Sequence, residues 1–267
     1  MNVSDGSLFA NKIIMAPMVR AGRTPLRLLA LNYGADLCYT EEIIDQKLLS
    51  STRIVNSILG TIDYALMDDI ILRIASDESS RCVVQIGTNS GIRAAQVAKM
   101  VSTDVAAIDV NMGCPKSFSI HCGMGAALLL RMDKVKEVMT CLSAVTQVPV
   151  SCKIRLLDDL SATLNLVRVI ENCGAAALAV HGRRRDERDF HPCRIDEIRE
   201  IARTVSIPVI ANFPLTWNIC IWDGWLVKSR ASVSMRTGGK FFRCSGLILS
   251  GPAAVRFPTD EIAYRIS

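Results

Sequence analysis

A chain of 267 residues, half of them apolar and 21% charged, has enough hydrophobic mass for a substantial core and is not a disordered tail. No run approaches the roughly 18–20 apolar residues that span a bilayer. Met1-Asn-Val-Ser-Asp-Gly6 lacks the basic start and apolar stretch of a secretory leader, so a soluble intracellular protein is expected. The formal charge of +5 permits an anionic partner without demanding one. The ten cysteines are scattered with no CxxC pair, which argues against a disulfide framework and against a metal site. Most of them read as small reduced hydrophobes.

Along the chain, short apolar runs alternate with stretches of helical period. Lys12–Met18 reads as a first strand, followed by a helix around Pro25–Tyr33, and Asp36–Glu41 as a second strand. Strands at Cys82–Gly87, Ala106–Asn111 and Pro149–Arg155 precede helices over Ile92–Val101, Asp133–Val145 and Ser161–Asn172. Ala175–Val180 leads to a helix over Asp196–Arg203, and Ile207–Asn212 is the seventh strand. Continuous apolar strands separated by helices predict a parallel sheet covered by helices. No G-x-G-x-x-G loop follows the first strand, so an α/β TIM (β/α)8 barrel is favoured over an open dinucleotide-binding sheet. The barrel is expected to be irregular or incomplete after strand seven. Gly246–Ser250 is the best remaining candidate for strand eight, and residues 213–267, which hold all three tryptophans, read as a divergent segment.

Polar residues cluster at the predicted strand ends: Gln85, Asn111, Lys153, His181 and Asn212. In a barrel these ends share one face, where chemistry is done. Asn111-Met-Gly-Cys-Pro115 stops one strand, with Gly113 permitting a tight turn and Pro115 fixing the exit. Cys114 is thereby either a structural thiol or one presented to a pocket. Lys153 interrupts an apolar strand and needs an anion or neutralisation. His181 is either a hydrogen-bonded structural group or a ligand contact. Arg183-Arg-Arg-Asp-Glu-Arg188 is either a solvated loop or a phosphate contact.

Taken in order, Ala16-Pro-Met-Val19, Gln85-Ile-Gly87, Asp109-Val-Asn-Met-Gly-Cys-Pro-Lys116, Gly123–Leu129, Cys152-Lys-Ile-Arg155, Ala179-Val-His-Gly-Arg183 and Pro208-Val-Ile-Ala-Asn212 resemble the tRNA-dihydrouridine synthases. The likeness is to the eukaryotic class that acts on uridine 20 of the D-loop, and it runs from about Lys12 to Asn212. The resemblance implies FMN-dependent reduction of uridine to dihydrouridine in tRNA, with NADPH as reductant. It places Pro17, Met18, Gln85, Lys153, His181 and Asn212 at the FMN, Asn111 and Arg155 at flavin or target uracil, Arg183 at the tRNA substrate, and Cys114 as proton donor to C5 of uracil. Hydride goes to C6. A cytoplasmic monomer partnered by tRNA is expected, with a nuclear location left open, without metal or membrane.

Three departures stand out. Phe213-Pro214 replace the family's Gly-Gly after Asn212, and Ser250-Gly-Pro-Ala-Ala254 lacks the arginine of its strand-eight motif. The helical tRNA-binding domain and the double-stranded-RNA-binding domain are expected to be absent. A smaller change is Ile120-His-Cys122, where relatives carry lysine and glycine. Two other readings remain: a catalytically silent truncated homologue that keeps an RNA-binding surface, and a flavin barrel that reduces a free pyrimidine.

Overall fold

A computed structural model describes residues 6–188, 190–212, 231–236 and 245–249. A short 3-10 turn, Gly6–Leu8, precedes β1 (Ile14–Met15), α1 (Thr24–Asn32), β2 (Leu37–Tyr39), β3 (Ile43–Ile44) and α2 (Asp45–Leu49). Three strands then form a separate antiparallel sheet: β4 (Thr52–Asn56), β5 (Thr61–Leu66) and β6 (Asp69–Ala75). The alternation resumes with β7 (Cys82–Gly87), α3 (Gly91–Val101), β8 (Ala107–Met112) and α4 (Ser117–His121). A 3-10 segment, Gly125–Leu130, leads into α5 (Met132–Val145), β9 (Val150–Leu156), α6 (Leu160–Asn172), β10 (Ala177–Arg184), α7 (Ile195–Thr204) and β11 (Val209–Asn212). Two further strands follow, β12 (Ala231–Arg236) and β13 (Ser245–Leu249).

The large sheet runs β1-β2-β7-β8-β9-β10-β11-β12-β13, with β3 paired on β7. Every pairing from β1 to β12 is parallel. This is the α/β, TIM-like architecture expected from the strand–helix alternation. The predicted strand at Gly246–Ser250 has a counterpart in β13, but β13 pairs antiparallel with β12. The parallel place beside strand seven belongs to Ala231–Arg236, which the apolar-run reading passed over. Phe213-Pro214 and the Ser250–Ala254 stretch lie outside the described residues.

Period-two alternation divides the strands between two cores. One set, including Val84, Ile86, Ile108, Val110, Cys152, Ile154, Leu178 and Val180, packs with the apolar stripes of α3, α5, α6 and α7. The other set points inside the barrel, where Ile14, Leu37, Tyr39, Val83, Ala107, Ala177, Ala179 and Ile210 close around Phe9. Helix starts are set locally. Ser90 caps α3 by accepting from Arg93 N, and Asp159 caps α6 by accepting from Ala162 N. Among the described residues, no helix is long and apolar enough to cross a membrane.

The sheet of β4–β6 is an insertion not foreseen from the sequence, between strands two and three of the parallel series. Inside it Arg73 grips Asp63 through two hydrogen bonds of 2.7 and 2.6 Å, helped by Thr61 and Asn56. These bonds, the Arg73 pair foremost, hold the Asp63 carboxyl down to about 2. A folded value below the unfolded one of about 3.9 contributes stability above that pH and loses it as pH falls toward about 2. Asp63→Asn is therefore expected to remove about 1 kcal/mol of the acid sensitivity, after allowance for the exposed side of Arg73. Urea midpoints between about pH 5 and pH 2 measure it: wild type should lose more stability across that window than the variant.

Candidate active site at the strand ends

Parallel register brings the predicted polar residues together. Gln85 pairs with Asp109, Asn111 with Lys153, Arg155 with His181, and His181 with Asn212. All belong to the inward-pointing set of their strands. At the first level, the fully buried Asp109 accepts from Gln85 Nε2 at 2.8 Å and from Ser151 Oγ at 2.6 Å. The Tyr39 hydroxyl lies 3.2 Å from Ser151 Oγ and extends this network across the interior. Burial pushes the Asp109 carboxyl up to about 6 despite those bonds.

One level up, Asn111 shapes the turn that holds Cys114. Its Nδ2 donates to Gln85 Oε1 at 3.0 Å, while its Oδ1 accepts from the backbone N–H groups of Gly113 and Cys114, both at 2.9 Å. Asn111 thus orients the thiol loop, whatever else its remaining amide proton meets. Arg155 clamps the same turn, donating from Nε to the Gly113 carbonyl at 3.0 Å and from Nη1 to the Arg184 carbonyl at 2.9 Å. Cys114 is left half-buried.

Gly125 closes the turn from the other side. Its φ of +57° is one that side chains rarely adopt, and an added Cβ would lie 2.7 Å from the Cys114 carbonyl oxygen and 2.5 Å from Ser119 Oγ. Gly125→Ala is expected to cost about 1–3 kcal/mol in backbone strain and to displace Cys114. A lower melting temperature together with a changed alkylation rate at Cys114 is the expected result; a wild-type value for both would refute it.

The Lys153 side chain forms no hydrogen bond or ion pair among the described residues. Burial and the neighbouring Arg155 pull its ammonium down to about 8, against the opposing pull of Asp109, Cys114 and Glu42. Arg155 is itself lowered, by burial first and then by Arg183 and Arg188. Three guanidinium groups and an ammonium converge here with few acids to offset them, so this mouth suits an anionic or electron-rich ligand. Pro17 and Met18 follow β1, and the Met18 carbonyl accepts from Gly22 N at 2.8 Å to close their loop.

Arg183 sits differently from a solvated loop residue. It is 3% exposed, donating from Nε to the His191 carbonyl at 2.6 Å, with Nη1 3.4 Å from His181 Nε2. It braces the loop and the His181 ring, whereas Arg185 and Arg188 carry the exposed charge. Sequence reasoning also passed over Glu42. Glu41 turns outward, accepting from Arg20 N at 2.7 Å and Arg23 Nε at 3.3 Å. Glu42 turns in, and both of its carboxylate oxygens are buried without a hydrogen-bond partner among the described residues. Two acids closing an apolar strand were the available clue.

The Dihydrouridine synthase (Dus) family model matches residues 14–213, the span that carries all of these strand ends. The chain belongs to the dihydrouridine synthase family. It is 39% identical over 216 residues to the tRNA-dihydrouridine(20) synthase [NAD(P)+] of Schizosaccharomyces pombe, covering 76% of this chain and 45% of that protein. The Saccharomyces cerevisiae protein of the same name is 41% identical over 219 residues, covering 76% of this chain and 57% of its own length. A human tRNA-dihydrouridine(20a/20b) synthase [NAD(P)+]-like protein is 30% identical over 225 residues, at 80% and 66% coverage. The chain spans about half the length of the first two relatives. Within this dihydrouridine synthase domain, the matched span includes Cys114, Lys153, Arg155 and His181.

Proposed function

We propose that this domain reduces uridine to dihydrouridine in the D-loop of tRNA, with FMN as the bound redox group and NADPH as the electron source. The observation that carries this reading is the Cys114 turn, built on Asn111, at the strand ends where Asn111 is the register partner of Lys153. The donor set fits a flavin: Lys153 would face the electron-rich side of the ring system, and Gln85, His181 and Asn212 would complete its surroundings. Bound and reduced, FMN supplies the hydride that adds to C6 of uracil.

The chain's own residues do the rest. Charge that develops toward C5 is met by the S–H of Cys114, whose proton moves to that carbon. Asn111 and Arg155 keep the turn in place while this happens, so the thiol does not have to be oriented at each encounter. Lys153, as an ammonium, stabilises negative charge in the pocket. The target base must leave its stack to reach a buried thiol, and the exposed Arg185 and Arg188 suit the phosphates alongside.

Two measurements test this. Purified protein should show flavin absorbance, or acquire it with added FMN, and should form dihydrouridine in unmodified tRNA when NADPH is supplied. Protein that binds no flavin overturns the reading, as does reduction of free uridine with tRNA left untouched. Lys153→Met is expected to weaken FMN retention at least tenfold, because a single charge–ring contact in a dry site is worth about 1.4 kcal/mol or more. Equal flavin occupancy in wild type and variant would remove Lys153 from the site.

A further inference from the structure

The short helix α4, directly after the Cys114 turn, inverts the usual pattern of burial. Phe118 and Ile120 are 51% and 37% exposed, whereas Ser119 between them is fully buried. The Ser119 Oγ has no hydrogen-bond partner among the described residues. A hydroxyl taken out of water and left unpaired costs the fold its lost hydration, so it calls for a partner that the resting structure lacks.

The backbone fixes what this hydroxyl faces. Met124 N donates to the Ser119 carbonyl at 2.9 Å and Ala126 N to the Cys114 carbonyl at 3.0 Å, which closes residues 114 to 126 into one compact loop. Gly125 sits inside it. A Cβ there would lie 2.5 Å from Ser119 Oγ, 2.7 Å from the Cys114 carbonyl oxygen and 3.0 Å from Cys114 Cβ. The hydroxyl and the root of the thiol side chain thus border the same small space, which only glycine leaves free. Across it Ser119 favours ionisation of the thiol without a formed hydrogen bond to it.

We propose that Ser119 is a positioning residue for Cys114: its buried hydroxyl stays unpaired in the resting enzyme and donates to the Cys114 sulfur as the proton leaves for C5 of the base. The proposal rests on Cys114 being the proton donor. A neutral thiol is a weak acceptor, but a thiolate in a half-buried place accepts strongly from an O–H group. The bond is therefore worth more after proton transfer than before it, which is what speeds the step. The S–H bond breaks, a C–H bond forms at C5, and the S–H electron pair stays on sulfur. A solvent proton restores the thiol afterwards, and Ser119 keeps its own proton throughout. The charged groups around the thiol come from other elements. Glu42, in the loop between β2 and β3, opposes its ionisation, Lys153 and Arg155 on β9 feel its charge, and Lys116 offers a backbone N–H. None of these is removed when the Ser119 hydroxyl is.

Ser119→Ala removes one unpaired oxygen and nothing else. Alkylation of Cys114 by iodoacetamide, followed against pH by peptide mass spectrometry to separate it from the other cysteines, should show a midpoint raised by about one unit. That is the worth of one hydrogen bond to a charged group. The alkylation rate near neutral pH should fall by up to about tenfold, because less of the thiol is ionised. The melting temperature should stay at or above the wild-type value, since the hydroxyl has no partner to lose. An unchanged midpoint overturns the proposal. So does a raised midpoint with a lower melting temperature, which would make the hydroxyl a brace of the turn. The alkylation profile needs neither tRNA nor FMN. A raised midpoint in a protein that forms no dihydrouridine upholds the Ser119–Cys114 coupling and sinks the proposed activity, and an unchanged midpoint in an active enzyme does the reverse. In the active enzyme, Ser119→Ala should lower kcat by about three- to tenfold while KM for tRNA and flavin content stay at their wild-type values.

Discussion

Replacing Arg27 with methionine is expected to destabilise the fold by about 3–5 kcal/mol, the usual cost of stripping one partner from a buried ion pair. Arg27 is 1% exposed and Glu78 is fully buried. Its Nε and Nη2 donate to the two Glu78 oxygens, each at 2.7 Å. Nη1 reaches the Gly22 carbonyl at 2.7 Å, and Nη2 also reaches the Arg73 carbonyl at 2.7 Å. One guanidinium therefore ties α1, the loop after β1, the inserted sheet and the turn before β7. Methionine fills much of the volume but leaves a carboxylate and two carbonyls facing an apolar stem. Thermal unfolding should show a midpoint lowered by roughly 10 °C. The double variant Arg27→Met, Glu78→Leu should recover part of the loss, since an apolar pair replaces a buried ionic one at little net cost. A melting point within about 2 °C of wild type for the single variant would show that the pair does not hold the insertion to the barrel.

The second large effect concerns chemistry. Cys114→Ala is expected to lower the rate of dihydrouridine formation in tRNA by about 10²–10⁴-fold, the range that a positioned general acid supplies. Flavin content and the melting temperature should change little, because the thiol is half-buried and its loop is held through backbone atoms by Asn111, Arg155 and the Ala126 N–H on the Cys114 carbonyl. Cys114→Ser should fall between the two, since a hydroxyl is a far weaker acid than a thiol. Turnover of the alanine variant within a factor of about two of wild type would assign the proton to another group.

These effects differ in how visible their residues were beforehand. Cys114 stands in a strand-ending Asn-Met-Gly-Cys-Pro, where glycine and proline mark a turn, so its place in a strand-end turn was readable locally. Lys153 was equally conspicuous, a charge inside an apolar strand. Arg27 was not. Its place in the helix near Leu26 and Leu28 resembles any solvated helical arginine, and only the return of the chain 51 residues later supplies Glu78. Arg183 misled in the opposite sense: three successive arginines read as an exposed basic loop, yet the first of them lies on the last inward-facing position of β10 and is buried.

What the chain determined by itself is local and periodic. Alternating apolar runs and helical stripes set seven of the parallel strands and their covering helices, because burial on both faces demands continuous apolar strands. Strand ends that finish in Gln85, Asn111, Lys153, His181 and Asn212 mark one end of the sheet as polar, because a polar group there escapes the core without leaving the scaffold. Tertiary structure decided the rest. Register set which of those side chains share a level, and parallel pairing put Ala231–Arg236 beside strand seven, with β13 antiparallel on its far side. Above all it distinguished Glu41 from Glu42. Adjacent residues on an extended backbone point to opposite sides, and nothing in their own sequence says which one meets Arg23 and which is buried.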